Sequence, residues 1–263
     1  MIRTAAALKP RGRRHVNRQT PRDRMTNTAR PLVREASAGA KPHFRLAGGP
    51  ALTAIDDAIA LDTCPVLPLG FGAVAKRAID LCGALALLAL GGIPMLVVAL
   101  LIKITSPGPA LYTQERVGLG GRRFKLLKFR TMRVDAEANT GPVWAQEHDP
   151  RRTAFGAFLR RWSIDELPQL INVVRGDMSL VGPRPERPYF VAKFSQEMPS
   201  YMQRHSVLPG LTGWAQLNGL RGNTSISMRL DFDLYYIRHW SPTLDVLIIL
   251  MTPFKMLAEK NAY

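Results

Sequence analysis

The chain has 263 residues, 46% of them hydrophobic, and a formal net charge of +16 at pH 7. This is enough apolar material for one folded core, and the basic balance predicts an anionic partner, namely nucleic acid, a phospholipid surface or a phosphorylated substrate. Cys64 and Cys82 are the only cysteines, so a disulfide framework is excluded. The five histidines show no metal-ligand spacing.

Residues 1–70 are predicted to be a disordered basic arm followed by a linker. Residues 1–46 carry twelve lysines and arginines against two acids, with little apolar periodicity. Such an arm suits anionic lipid or nucleic acid, or it is a solvated tail, and Met25 is an alternative start. Residues 47–70 add glycine and proline, which favour a linker. The folded domain is therefore predicted over residues 71–263.

Residues 81–102 form an uncharged apolar segment of 22 residues. As a helix this segment would be about 33 Å long, roughly the thickness of the hydrocarbon layer of a membrane. Pro94 lies in its middle and predicts a break, while basic residues flank both ends. Because both ends should then prefer the cytoplasm, the pattern favours a re-entrant helix hairpin. A single kinked span is the alternative.

Two segments after the membrane segment lead toward an acidic pair. Alternation over residues 111–117 predicts a short strand, followed by a glycine-rich turn. Residues 122–130 interleave five cations with apolar side chains, which suits a phosphate or a membrane surface. Apolar residues at helical spacing over 153–162 predict an interfacial or core-facing helix.

The acidic pair is Asp165 and Glu166, within the segment RRWSIDELPQ at 160–169. Ser163 and Glu166 have the spacing of a capping box, which predicts a helix with Ser163 as N-cap and both acids in its first turn. A helix start stabilises an ionised carboxylate and attracts phosphate, so Asp165 could act as a nucleophile. The alternative is a capping glutamate beside a solvated aspartate.

Two later segments suit anionic or nucleotide ligands. Residues 182–185, GPRP, hold Arg184 between prolines in a stiff loop, which favours phosphate binding but also occurs without any ligand. Residues 208–222 are rich in glycine and predict a compact loop or hairpin. Within it, Trp214 is expected either to stack on a base or to pack in the core.

The C-terminal part, residues 230–263, is predicted to be an amphipathic helix. Its apolar run at 244–251 is too short to span a membrane, so we expect it to lie on the membrane interface. Tyr235, Tyr236 and Trp240 would then lie at the level of the headgroups.

Four motifs occur in fixed order along the chain, namely KFRTM at 128–132, SIDELPQ at 163–169, GDMSLVGPRPE at 176–186 and PGLTGWAQLNG at 209–219. The chain resembles the bacterial sugar transferases, the monotopic polyprenyl-phosphate phosphoglycosyl transferases, over about residues 72–260. The resemblance implies an α+β, mainly helical fold, with a re-entrant membrane hairpin and interfacial amphipathic helices around a small cytoplasmic catalytic domain at the bacterial inner membrane.

The resemblance also implies a reaction. A UDP-sugar would give its sugar phosphate to a carboxylate, releasing UMP, and polyprenyl (undecaprenyl) phosphate would then accept it with the help of Mg²⁺. Anionic membrane lipid is an expected partner and nucleic acid is not. Carried over residue by residue, the implied roles are Asp165 as nucleophile with Glu166 as its partner, Lys128, Arg130 and Arg184 on phosphates, and Pro94 as the membrane break. Asp165 and Glu166 are also the predicted metal ligands, and Trp214 and Gln216 are candidate nucleotide-binding residues.

Two departures from the family pattern are Ile93, where serine is common, and Ile164, where leucine is usual. Relatives with four additional N-terminal spanning helices exist, and this chain is expected to be the short form. The sugar and the surface glycan, whether exopolysaccharide, capsule or O-antigen, stay open. The competing hypothesis is a non-enzymatic basic protein that binds anionic lipid or nucleic acid at the membrane, although such a binder has no use for an acidic pair among cations.

Overall fold

The computed structural model describes residues 70–134, 136 and 149–258, so the predicted basic arm and most of the linker lie outside the described residues. The described part is mainly helical with short strands, as predicted for an α+β fold. In chain order its elements are α1 (Phe71–Thr105), β1 (Leu111–Val117), β2 (Arg123–Phe129), α2 (Ala154–Arg161), α3 (Gln169–Arg175), β3 (Ser179–Val181), α4 (Pro188–Glu197), β4 (Gly210–Thr212), α5 (Trp214–Leu217), α6 (Ile226–Arg238) and α7 (Pro242–Ala258). Three short 3₁₀ turns join them, at Leu119–Gly121, Ile164–Glu166 and Tyr201–Ser206.

Helix α1 is long and apolar enough to cross a membrane, and most of its surface is not covered by the rest of the described structure. It runs for 35 residues with Pro94 inside it. The predicted division of the segment into two helices at Pro94 is therefore wrong at the level of secondary structure. A proline removes one backbone donor, and the turns on either side keep their own hydrogen bonds, so helical structure continues through it. The re-entrant path through a membrane stays a prediction.

Strands β1 and β2 form an antiparallel hairpin in which Leu111 pairs with Phe129 and Val117 with Arg123. The strand predicted at 111–117 is confirmed. The connection is tight because Gly120 and Gly121 adopt positive φ angles of 61° and 78°, which glycine tolerates. The hairpin brings the end of β2 beside the 3₁₀ turn at 164–166.

Strand β4 pairs in parallel with β3, with Ser179 opposite Gly210 and Val181 opposite Thr212. The hairpin considered for residues 208–222 is therefore wrong, because β4 finds its partner thirty residues earlier in the chain. The close approach depends on glycine, since a Cβ on Gly210 would lie 2.1 Å from the backbone nitrogen of Gly182. This contact fixes the start of the loop that carries Arg184.

The C-terminal part forms two helices, α6 and α7. Both contribute to the main core, the cluster of buried apolar residues that includes Leu170, Val173, Leu180, Tyr236 and Ile248. Tyr236 is buried there, and its hydroxyl donates to Asp245 over 2.7 Å. The prediction that Tyr236 lies among the headgroups is therefore wrong, because its hydroxyl has an internal acceptor and its ring fills the core. Tyr235 is half exposed, and α7 exposes Leu250 and Phe254. The position of α7 at a membrane interface stays a prediction.

Candidate active site

Asp165 and Glu166 lie in the 3₁₀ turn Ile164–Glu166 between α2 and α3. Ser163 does not cap this turn: it has a left-handed φ of 53° and its side chain makes no capping hydrogen bond. The predicted capping box is wrong because the Glu166 carboxylate is bound by cations from other segments instead. The left-handed residue reverses the chain after α2, so that both acids face β2 and the loop after β3.

Glu166 is held by two of the predicted phosphate-binding residues. The Lys128 ammonium lies 2.8 Å from Glu166 Oε1, and the Arg184 guanidinium binds both carboxylate oxygens, with 3.1 Å from Nη1 to Oε2. Burial opposes ionisation of Glu166, but the charges of Arg184 and Lys128 outweigh it and hold the pKa well below its usual value. Glu166 is therefore an anion that fixes two cations at the end of β2 and in the 182–185 loop.

The surroundings of the Asp165 carboxylate differ from those of Glu166. The Asp165 side chain is buried, with 6% of the residue exposed, and it makes no hydrogen bond within the part of the chain that the structure describes. Burial raises its pKa to about 6, although Lys128, Arg160 and Arg184 act in the opposite direction. At neutral pH Asp165 is thus an ionised carboxylate that no donor occupies, which leaves an oxygen available to a ligand.

The loop at 182–185, which carries Arg184, is held in position by a buried Arg204–Asp233 ion pair that the sequence did not indicate. Arg204 donates to the backbone carbonyl of Arg184 over 2.9 Å and binds Asp233 over 2.7 Å, with both side chains 2% exposed. Burial alone would lower the pKa of Arg204, but its interactions with Tyr201 and the Asp233 carboxylate outweigh burial and raise it. Arg204 therefore holds the backbone from which Arg184 reaches Glu166.

A second acid in the same loop, Glu186, was also not predicted. It binds Arg229 at 3.1 Å and Arg116 at 3.5 Å, so α6 and β1 are both tied to the loop. Burial lowers the pKa of Arg116 to about 10, against the charge of Glu186. The spacing of these residues along the chain gave no signal, because their proximity depends on how α6 packs against β1.

These elements surround a cavity of about 470 Å³. Ten cationic and four acidic side chains of the described residues line it, so its wall is strongly basic. Both members of the acidic pair and all three predicted phosphate-binding residues are among them. The cations are Arg116, Lys128, Arg130, Arg133, Arg151, Arg160, Arg184, Arg187, Arg221 and Arg229, and the acids are Asp149, Asp165, Glu166 and Glu186.

The two predicted nucleotide-binding residues have different positions. Trp214 stacks on Tyr235 with 6.0 Å between ring centroids and packs against the main core, and it is not among the described residues that line the cavity. Gln216 does line the cavity, is 2% exposed, and has neither amide atom in a hydrogen bond. A buried amide without partners is costly, so Gln216 is the better candidate for ligand binding.

Asp165 and Glu166 were also predicted to hold Mg²⁺. Among the described residues no group of three or more His, Cys, Asp or Glu side chains could hold a metal ion. Mg²⁺ is often bound through one or two carboxylates and the phosphates of a substrate, and the unoccupied carboxylate of Asp165 fits that mode. Glu166 fits less well, because Lys128 and Arg184 already occupy its oxygens.

Within residues 70–134 and 149–258, the fold and the site combine a helix of membrane-spanning length with a basic cavity around a buried carboxylate that no described donor binds. A family model described as bacterial sugar transferase matches residues 71–259, and the chain belongs to that family.

Three relatives extend this comparison. The chain is 48% identical over 185 residues to a UDP-glucose:undecaprenyl-phosphate glucose-1-phosphate transferase of Xanthomonas campestris, covering 68% of this chain and 38% of that protein. It is 47% identical to a protein of the same description from Caulobacter vibrioides, covering 72% of each. A UDP-N-acetylgalactosamine-undecaprenyl-phosphate N-acetylgalactosaminephosphotransferase of Aeromonas hydrophila is 44% identical, covering 71% of this chain and 44% of that protein. The chain thus spans less than half the length of the Xanthomonas and Aeromonas proteins.

Proposed function

We propose that this chain transfers a sugar phosphate from a UDP-sugar to polyprenyl (undecaprenyl) phosphate through a covalent intermediate on Asp165. The observation that carries the proposal is the Asp165 carboxylate, which is buried, unoccupied by any described donor and surrounded by Lys128, Arg160 and Arg184. An acid that only stabilised the fold would be paired when buried. The descriptions of the relatives name the same reaction class with two different sugars, so the sugar itself stays open.

In the first step an Asp165 carboxylate oxygen attacks the phosphorus that bears the sugar. A bond forms between that oxygen and the phosphorus, and the bond from phosphorus to the bridging oxygen breaks. UMP leaves with the electron pair of that bond. The cations in the cavity wall offset the negative charge of the diphosphate, which would otherwise repel the attacking carboxylate. Mg²⁺, when bound at Asp165, would neutralise part of the charge on the phosphates.

In the second step an oxygen of the lipid phosphate attacks the same phosphorus. The bond to Asp165 breaks, the carboxylate is regenerated, and the product is a polyprenyl diphosphate sugar. Two sequential displacements at one phosphorus need only one nucleophile on the protein. This agrees with the contrast between Asp165, which is unoccupied, and Glu166, whose oxygens are engaged by Lys128 and Arg184. Glu166 is then a positioning residue that keeps both cations in the cavity wall.

The proposed setting is the inner membrane of a bacterium, with the cavity on the cytoplasmic side, where UDP-sugars are found. The apolar surface of α1 supports membrane attachment. Phe158 within α2 and Trp162 directly after it are half exposed, which suits an interfacial helix. The product would start a surface glycan. A re-entrant path of α1 through the membrane belongs to the same proposal, because it keeps the cationic flanks of this helix on one side of the membrane.

The test is UMP release by the purified full chain without any lipid acceptor. The proposal predicts a burst of at most one equivalent of UMP per enzyme, and a phosphosugar on a peptide containing Asp165 by mass spectrometry. Asp165→Asn keeps the shape of the side chain but removes the charge and the attacking oxygen, so it should abolish the burst and turnover. Asp231→Asn is the matched control, because Asp231 is an exposed aspartate of α6 and is not among the described residues that line the cavity. UMP release that requires the acceptor, with no adduct, would instead support direct attack by the lipid phosphate.

A further inference from the structure

The cavity wall divides into cations that an acid neutralises and cations that no acid neutralises. Glu166 pairs with Lys128 and Arg184, Glu186 pairs with Arg116 and Arg229, and Asp149 pairs with Arg151. Arg130 and Arg160 also line the cavity, but within the described residues neither has a carboxylate at ion-pair distance. Arg133 also has no described carboxylate at ion-pair distance, but it is exposed to solvent. Arg130 and Arg160 are therefore two sheltered cations of the cavity whose charge no described carboxylate neutralises.

Arg160 is oriented by a neutral partner. Its Nε donates to the Thr131 hydroxyl over 2.8 Å, and its terminal nitrogens make no hydrogen bond with any described residue. It also lies close enough to Asp165 for the two charges to interact. An arginine that is fixed through Nε presents a pre-oriented pair of donors, which is the geometry that binds two oxygens of a phosphate.

Arg130 directly follows the end of β2, next to the Thr131 that binds Arg160, and it is 6% exposed. Its Nη2 donates to the carbonyl of Ser106 over 2.7 Å, directly after the last residue of α1, while Nη1 is buried without a hydrogen-bond partner. A buried guanidinium nitrogen without an acceptor is costly, and a nearby anion would reduce that cost. Arg130 thus places positive charge at the end of the apolar helix.

Helix α2, which carries Arg160, packs on the same end of α1. Leu159 of α2 forms a core cluster with Ile102 of α1 and Phe129 of β2. The outer side of this region exposes apolar side chains: Val134 is 70% exposed, Phe158 51% and Trp162 45%. An anionic ligand bound here would therefore have an apolar surface and the membrane helix beside it, which suits a phosphate attached to a hydrocarbon chain.

The geometry points to Arg160 and Arg130 as the binding site for the phosphate of the lipid acceptor, entered along α2 and the end of α1. This assignment rests on the proposed function. It places the acceptor phosphate on different cations from those that form ion pairs with Glu166 and Glu186. The lipid phosphate would bind next to Asp165 from the membrane side. Arg160 then acts mainly in the second displacement, since it holds the attacking phosphate.

The two half-reactions can be measured separately. The full chain in lipid nanodiscs is first mixed with a UDP-sugar that gives a UMP burst with the unmodified protein, and the trapped enzyme is then chased with undecaprenyl phosphate. We expect Arg160→Gln to raise the acceptor concentration for half-maximal chase roughly ten- to hundredfold, as expected for lost hydrogen bonds to a charged group. The burst rate should fall by a clearly smaller factor, since Lys128 and Arg184 still line the cavity. The assay is run at pH 8, because loss of Arg160 removes a charge that lowers the pKa of Asp165.

Arg161→Gln is the matched control. Arg161 lies beside Arg160 in the last turn of α2, is exposed, and is not among the described residues that line the cavity. The same charge change at Arg161 should leave both half-reactions within about twofold of the unmodified chain, since exposed cations contribute little. An equal loss of chase in both variants would overturn the assignment, because it would then reflect general attraction to an anionic ligand.

Other outcomes are equally decisive. A smaller burst with an unchanged chase would assign Arg160 to the UDP-sugar, and an equal fall in both half-reactions with a lower melting temperature would make its role structural. If Arg160→Gln does not fold, Arg160→Lys keeps the charge but not the planar donor pair, and an unchanged acceptor requirement there would also overturn the assignment.

Absence of a burst in the unmodified chain would instead refute the covalent mechanism. The steady-state KM values for acceptor and UDP-sugar in the same variants would then test Arg160 independently.

Discussion

The Lys76 ammonium group in α1 lies 2.8 Å from the carboxylate of Asp245 in α7, and Asp245 has no exposed surface. Lys76 also donates to the carbonyl of Val181, the last residue of β3. Asp245 in turn accepts hydrogen bonds from Tyr236 and Trp240. One buried carboxylate therefore joins the apolar helix to the strand that leads into the loop of Arg184.

We expect Asp245→Asn to lower the free energy of unfolding by about 3 kcal/mol, because removing one partner leaves the other charge without compensation in a buried site. Thermal unfolding of the detergent-solubilised chain measures this effect. Asp231→Asn in α6 is the matched control, since Asp231 is exposed and its replacement should change stability by less than about 0.5 kcal/mol. Equal melting temperatures for the two variants would contradict a stabilising role for the Lys76–Asp245 pair.

The burst of UMP release should depend on pH through Asp165. Burial raises the pKa of this carboxyl to about 6, and only the ionised form can attack. The burst rate should therefore be maximal above pH 7, fall to half near pH 6 and decline about tenfold for each further pH unit. Rapid-quench measurements from pH 5 to 8 check this profile. A rate that stays constant down to pH 5 would mean that Asp165 has an ordinary pKa or is not the nucleophile.

The two adjacent acids should have opposite effects on stability. Because burial raises the pKa of Asp165 to about 6 in the folded chain, above its ordinary value of 3.8, its ionisation at pH 7 opposes folding. Asp165→Asn should therefore be inactive yet more stable, by up to about 3 kcal/mol for a pKa difference of about 2 units. Glu166→Gln should be less stable by about 3 kcal/mol, since Lys128 and Arg184 lose their carboxylate.

Unfolding of these two variants beside the unmodified chain at pH 7 gives the comparison. The gain from Asp165→Asn should disappear below about pH 4, where the carboxyl is protonated in both the folded and the unfolded chain. If Asp165→Asn destabilised the protein at pH 7, the carboxylate would have a structural partner, and its assignment as an unoccupied nucleophile would be wrong.

The contact between α2 and the end of β2 depends on Gly156. A Cβ at this position would lie 2.1 Å from the carbonyl oxygen of Thr131, a backbone atom that cannot turn away. Gly156→Ala should therefore displace α2 and cost about 1–3 kcal/mol of stability. It should also weaken the acceptor half-reaction, since Thr131 orients Arg160. Gly92→Ala in α1 has no atom within 4 Å of the new methyl group and should be tolerated.

The path of α1 through the membrane can be tested with single cysteines in a chain whose Cys64 and Cys82 are replaced by serine. Phe71 and Pro107 are exposed residues at the two ends of α1, so Phe71→Cys and Pro107→Cys report on the position of each end. A re-entrant path predicts that a membrane-impermeant thiol reagent labels both from the cytoplasmic side. Labelling from opposite sides would establish a single span. Pro94→Ala should shift some molecules toward that outcome, because a straighter helix is then allowed.

The sequence by itself predicted those helices and strands that depend mainly on residues close to one another in the chain. The strand at 111–117, the helix at 154–161 and the long apolar helix all followed from periodicity and hydropathy. The motif around Asp165 and Glu166 gave the acidic pair. Side-chain type and spacing are sufficient for these conclusions, because the physical signal is contained within about ten residues.

Tertiary contacts decided how the same residues are used. Ser163 and Glu166 have the spacing of a capping box, yet Glu166 binds Lys128 and Arg184 because two charged partners stabilise a buried carboxylate more than one backbone amide can. Tyr236 is buried by its bond to Asp245, and β4 pairs in parallel with β3 where a hairpin was considered. The difference between an occupied Glu166 and an unoccupied Asp165 arises from segments up to 38 residues apart. No local pattern contains that information, because burial and long-range ion pairs exist only once the chain has folded.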